Sequence, residues 1–344
     1  MDKRFLKILT LPQADERWVG TVRRAPFWIF PGKQNPYRPF LFFLATTSGK
    51  VIRTEVQSEQ PGSEEILQEF VAAMKRPTPG SGSARRPQVI ALDNRDHVAS
   101  LSASLAEFGI HCEFSDLPPV IEDCLYSMER EVTRREPSPG LLKIPSVTLP
   151  LVKHLFQLCA DFYATKPWQY LNDNHPIEIR VPPEQSPRYA VVMGSGGEIF
   201  GLAVYNTLED LRLMYQQDFL SQKQIARRAS WLVLFFDEAT AMRFDDLDLM
   251  ESKGWTVANE TAYPFIGRTS KTLDLKTPSK SDLLWMEGAL AGILAYLQKH
   301  QLARWGLAQP FDDQLSVKVV RKTITLDLRF PDVDPIRGYG DDDS

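Results

Sequence analysis

The chain has 344 residues, 43% hydrophobic and 24% charged, with a formal net charge of −4. This is the composition of an ordinary globular protein with room for two domains, and its acidic balance argues against a protein that tracks a phosphate backbone. Cys112, Cys124 and Cys159 lack metal-ligand spacing and read as reduced thiols of a cytoplasmic protein; the start of the chain is too interrupted for a signal peptide, and no apolar run approaches the roughly 18 residues of a membrane helix.

In chain order, residues 18–29 read as a first strand with mixed alternation. Residues 40–46 and 51–57 form a hairpin across Thr47-Ser48-Gly49-Lys50. Ser63 opens a helix over 64–75, with Ile66, Phe70 and Met74 at helical spacing. The stretch 77–87, rich in Pro, Gly and Ser, is a surface loop that carries Arg85 and Arg86. A buried strand over 88–92, a helix over 97–108 stopped by Gly109, a strand over 110–114 and a helix over 118–132 opened by proline follow. Glu136-Pro137-Ser138-Pro139-Gly140 interrupts both periodicities, which predicts a domain over 1–136, a linker over 137–147 and a second domain over 148–344.

The second half opens with a helix over 149–163 that Lys166-Pro167-Trp168 ends. Strands are expected over 177–181, 189–193 and 199–205, the last two joined by Gly194-Ser195-Gly196-Gly197, because glycine takes positive φ at no steric cost. Thr207 caps the next helix. A buried strand over 231–236, a helix over 245–253, an extended segment over 263–275, a long helix over 281–300 and alternating strands within 315–330 complete the fold, before a solvated acidic tail over 341–344.

The halves align by eye. Ser48-Gly49-Lys50-Val51-Ile52 answers Gly196-Gly197-Glu198-Ile199-Phe200, and Val89-Ile90-Ala91-Leu92-Asp93 answers Val233-Leu234-Phe235-Phe236-Asp237. Each half then runs β-β-β-α-β-α-β-α, an α/β class with mixed sheets and helices on their faces, written as an internal duplication. This order is similar to the ribonuclease H-like fold. Lys166-Pro167-Trp168, Val192-Met193-Gly194 and the run from Gly197 to Tyr205 resemble a bacterial family of domains of unknown function. The N-terminal half looks like a companion domain of that kind seen in photosynthetic bacteria. The resemblance implies a soluble bacterial protein and no particular chemistry.

Asp93 and Asp237 follow buried strands, where α/β sheets collect ligands and a ribonuclease H-like enzyme would hold a metal ion. Glu178, Glu209 and Asp237 are the acids a Mg²⁺-dependent nuclease or phosphoesterase would use; the first strand, Trp18-Val19-Gly20-Thr21-Val22, supplies none, and capping or turn hydrogen bonds account for the others equally well. The five histidines, His97, His111, His154, His175 and His300, lack zinc spacing, and the Gly194–Gly197 stretch lacks the lysine and helix of a phosphate loop. Arg85-Arg86 and Lys223, Arg227 and Arg228 are basic clusters, ordinarily solvated. Phe27, Trp28 and Phe30, rimmed by Arg23, Arg24 and Arg38, together with Trp168 and Tyr170, either fill core or form an aromatic patch suited to a protein partner. The expectation is a cofactor-free, non-enzymatic protein that binds another protein or a regulatory ligand, with the metal nuclease and a degenerate nucleic-acid binder as the alternatives.

Overall fold

The computed structural model describes residues 7–171, 176–184, 186–215, 222–269, 275–300 and 311–330. His175, the Lys223 side chain, residues 270–274 of the extended segment and the acidic tail lie outside the described residues. The chain divides into two compact units, Met1–Pro137 and Ser138–Ser344, each with its own sheet.

The first unit runs β1 (Gln13–Arg24), β2 (Phe40–Thr46), β3 (Val51–Gln57), α1 (Ser63–Lys75), β4 (Arg86–Leu92), α2 (Arg95–Ala106), β5 (His111–Phe114) and α3 (Pro119–Thr133). The sheet order is β3-β2-β1-β4-β5, with β1, β2 and β3 antiparallel and β4 and β5 parallel to β1. A parallel pair needs a crossover, and α1 supplies it between β3 and β4. The period-2 run in β2 splits across the sheet: Phe42 and Leu44 pack with Ile66, Phe70 and Leu105 of α1 and α2, whereas Leu41, Phe43 and Ala45 pack with Ile121 and Leu125 of α3. Helix starts follow local chemistry. Glu65 reaches back to the Gly62 N–H at 2.7 Å, and Asn94 accepts from the N–H groups of Asp96 and His97. The first strand begins earlier than its apolar run and stops before Ala25-Pro26, because the parallel partner β4 recruits Gln13 and Ala14 into the ladder.

The basic pair Arg85-Arg86 does not form a solvated face. Arg85 is buried, donating to Glu16 Oε2 at 2.8 Å and to the carbonyls of Ser81 and Ser83, and Arg86 donates to the carbonyls of Leu11 and Phe108. A guanidinium has five donors and can close a loop on scattered carbonyl groups.

The second unit runs α4 (Leu149–Thr165), β6 (Ile177–Arg180), β7 (Arg188–Met193), β8 (Phe200–Tyr205), α5 (Leu208–Tyr215), α6 (Gln222–Arg228), β9 (Trp231–Asp237), α7 (Phe244–Lys253), β10 (Tyr263–Thr269), β11 (Leu275–Lys276), α8 (Lys280–His300), β12 (Phe311–Val319) and β13 (Lys322–Phe330). Before α4, the stretch expected as a linker folds onto this unit: Leu141 is buried and its N–H donates to Asp246 at 2.8 Å.

The element order of the first unit recurs here, but the pairing does not. The order is β11-β10-β9-β8-β7-β6-β13-β12, and each pairing is antiparallel. β9 lies beside β8, while β13 takes the place beside β6 that β4 takes beside β1. Leu211 of α5 packs on Tyr189, Val191, Ala203 and Tyr205, and the chain then returns next to the strand it left. The two sheets therefore do not repeat one plan, and Asp93 and Asp237 end strands in different surroundings.

β8 and β9 approach so closely that a Cβ on Gly201 would collide with the Leu234 carbonyl and lie 2.9 Å from the Phe235 Cα. Gly196, in the adjoining turn, has open space around it. Gly201→Ala is expected to destabilise the protein by about 3 kcal/mol, as overpacking against backbone does, while Gly196→Ala stays within about 0.5 kcal/mol. Denaturant unfolding of the two variants checks this, and equal midpoints would refute the close approach.

Candidate functional site

In the first unit the crevice at the carboxyl ends of β1 and β4 is where such sheets bind ligands. The Thr21 hydroxyl of β1 donates to Asp93 Oδ2 at 2.8 Å, so a neutral donor faces the aspartate from the strand where a second acid would be needed. Asn94, the next residue, is spent on capping α2. Burial raises the Asp93 pKa, against the lowering effects of Thr21 and Arg23, and burial also lowers that of nearby His97.

In the second unit the three acids of the nuclease reading are not brought together. Glu178 lies in the cross-strand row Glu178–Tyr189–Tyr205–Trp231, and Asp237 is at the far end of β9. Three strand spacings place them about 14 Å apart across the sheet, and they lie about 20 Å apart along it. Glu178 accepts from Arg180 at 2.8 Å and from the Tyr189 hydroxyl at 3.4 Å. Glu209 is an exposed first-turn residue of α5 paired with Arg212 at 3.2 Å, and Asp237 accepts from the Glu238 N–H. Among the described residues no group of three or more His, Cys, Asp or Glu side chains could hold a metal ion.

The aromatic candidates divide. Arg38 is 6% exposed and donates to the Ala25 carbonyl at 3.1 Å, while Arg24 donates to the Arg38 carbonyl. These are struts of the β1–β2 loop rather than a rim. The Ile29–Tyr37 bridge ties the same loop, leaving Trp28 half-buried and Phe30 68% exposed. Trp168 packs in a cluster with Phe162, Tyr163 and Phe200, its ring centroid 4.6 Å from that of Phe200. Gly194, at φ 126°, clears this cluster, since a Cβ there would lie 2.5 Å from Phe200 Cδ1 and 3.1 Å from Trp168 Cγ. The Lys-Pro-Trp segment thus ends α4, with Lys166 left-handed at φ 51°, and seats the glycine hairpin. Tyr170 is half-buried just past that turn.

A site that sequence reasoning missed lies elsewhere in the second unit. α8, the start of α4, the segment after β6 and the β12–β13 turn enclose a cavity of about 380 Å³, within the size range of small-molecule sites. Leu151, Val181, Trp285, Val319 and Ile324 wall it with apolar surface, and Lys280, Arg321 and Lys322 bring positive charge to it. Glu287, 1% exposed, lies in the middle of α8. Its Oε1 accepts from the Val320 N–H at 2.9 Å and faces His154 Nδ1 of α4 at 2.5 Å. Gly288 lets α8 come down on Val181, whose Cγ1 would lie 2.5 Å from a Cβ there. The signal available in the sequence was this one acid in Leu-Leu-Trp-Met-Glu-Gly-Ala-Leu-Ala, because a charge on an apolar helix is buried only when partnered.

Two outcomes follow. Glu287→Ala strands His154 and the Val320 N–H and is expected to cost about 3 kcal/mol or more; Glu287→Gln keeps an acceptor and costs about 1 kcal/mol. Equal losses in urea titrations would remove the clamp. Asp93, with its pKa raised by burial, favours folding in its protonated form, a contribution present below the ordinary carboxylate range and lost as pH rises through the raised value. Asp93→Asn is therefore expected to raise stability at neutral pH, with the difference vanishing in acid; denaturation midpoints across pH test the sign.

Comparison with known proteins gives two families. "Domain of unknown function (DUF6930)" matches residues 4–129 and "Domain of unknown function (DUF7309)" matches residues 153–309, the second span containing the Lys-Pro-Trp segment and the glycine hairpin. No curated protein matches. Among solved structures, the HTLV-2 integrase catalytic core domain in complex with magnesium is similar in its dimeric and trimeric forms. Both are 18% identical over 40% of this chain, covering 79% and 78% of theirs, with TM-scores of 0.26 and 0.25. A likeness that slight carries no argument about metal or reaction. Two models of domains of unknown function thus match successive parts of the chain, DUF6930 within the first compact unit and DUF7309 within the second.

Proposed function

We propose that this chain is a non-enzymatic binding protein whose second unit takes a small regulatory ligand in the cavity beside α8. The observation that carries the reading is the cavity itself: preformed, apolar-walled and braced by the buried Glu287. The wide separation of Glu178 and Asp237, and the Arg212 partner of Glu209, support binding over metal-assisted hydrolysis. A second reading, docking of a protein partner, is favoured by Phe30, which stands 68% exposed on a loop held by the Ile29–Tyr37 bridge.

Thermal melting of the full chain against a library of small metabolites separates the two. A ligand present at about a hundred times its Kd is expected to raise Tm by roughly 5 °C or more. Leu284→Trp, at a 43% exposed position of the cavity lining, is expected to abolish that rise with little change in the unliganded Tm. No rise with any compound, alongside capture of a cellular protein that Phe30→Ser releases, would replace the cavity reading with the docking reading.

A further inference from the structure

Resting on the reading of the second unit as ligand-binding, we propose that the cavity's ligand is a small organic monoanion, an apolar body carrying one carboxylate. Charge at the cavity is unbalanced. Of the two acids that line it, Glu184 is held by Arg188 at 2.6 and 3.0 Å, and Glu287 by His154 and the Val320 N–H. Among the described residues, Lys280, Arg321 and Lys322 have no ion-pair partner, and Arg321 and Lys322 are exposed. Three unpaired cationic residues in the lining of an apolar cavity select an anion, because a cationic ligand would add to an existing excess of like charge.

The apolar walls set the rest of the molecule. Leu151, Val181, Val319 and Ile324 present apolar surface that an apolar body would cover. At the turn the Val320 N–H is already taken by Glu287, which removes one of the backbone donors a phosphate site would draw on.

Isothermal titration of the full chain with naphthalene-2-carboxylate and with naphthalene-2-carboxamide tests this. The two share an apolar body and differ in charge. The acid is expected to bind about tenfold tighter than the amide or better, a gap of about one charge-assisted contact. The double variant Arg321→Ala, Lys322→Ala changes two exposed turn residues and is expected to bring the acid down to the affinity of the amide, with the amide unaffected and the melting temperature unchanged. Equal binding of acid and amide by the native chain overturns the anion and leaves the cavity reading standing. Binding of neither, when another class of compound gives a melting rise that Leu284→Trp removes, also overturns the anion alone. Binding of neither, with no rise from any class, takes down both.

Discussion

The carboxylate of Glu287 is the joint on which the second unit turns. One oxygen ties α4 through His154, 133 residues away in sequence, and the β12–β13 turn through Val320, 33 residues away. A buried acid without such partners would be expelled or neutralised, so its presence in the middle of an apolar helix fixes where that helix sits. The helix must also lie low enough for the contact, and Gly288 and Gly292 allow it by giving Val181, Leu326 and Leu328 the room a side chain would take. The cavity is what remains when α8 is held by this one polar joint and its glycine face while the chain after β6 stands away from it.

The local elements were legible because their signals are local. Hairpin glycines, capping residues and period-2 runs named β2, β3, α1, β7 and the end of α4 at Lys166 close to where they stand. Pairing was not legible, because it is decided by what the connection does. One 13-residue helix carries the first unit from β3 across to a parallel place beside β1. Two short helices in the second unit return the chain to an antiparallel place beside β8. The matching Val-Ile-Ala-Leu-Asp and Val-Leu-Phe-Phe-Asp segments report only that each strand is buried and followed by a turn. α6 escaped notice because its few apolar residues, such as Ile225, give no periodic stripe.

The site was less legible than the fold, and the errors share one cause. Arg38 and Arg85 were read as surface charge, yet both are buried against main-chain carbonyls that are remote or unremarkable in sequence. Arginine can satisfy itself on backbone alone, so no acidic neighbour announces the burial. The cavity draws its lining from four stretches spread between Thr148 and Ile324. No window of sequence contains more than a fraction of it, and only the isolated acid of α8 marked the place.

In the first unit the aspartate at the strand end is engaged by a neighbouring strand. A metal site needs several carboxylates that stay ionised beside one another, which a bound cation permits and burial alone opposes. Here β1 presents the Thr21 hydroxyl, and the one acid at the strand end is accepted into a hydrogen bond and half-buried. Burial then drives Asp93 toward its protonated form. His97, pushed toward its neutral form by the same burial, adds no charge to offset it. The Thr21–Asp93 hydrogen bond is thus a structural contact between β1 and the end of β4, while in the second unit Lys280, Arg321 and Lys322, without an ion-pair partner among the described residues, line the cavity that α8 shapes.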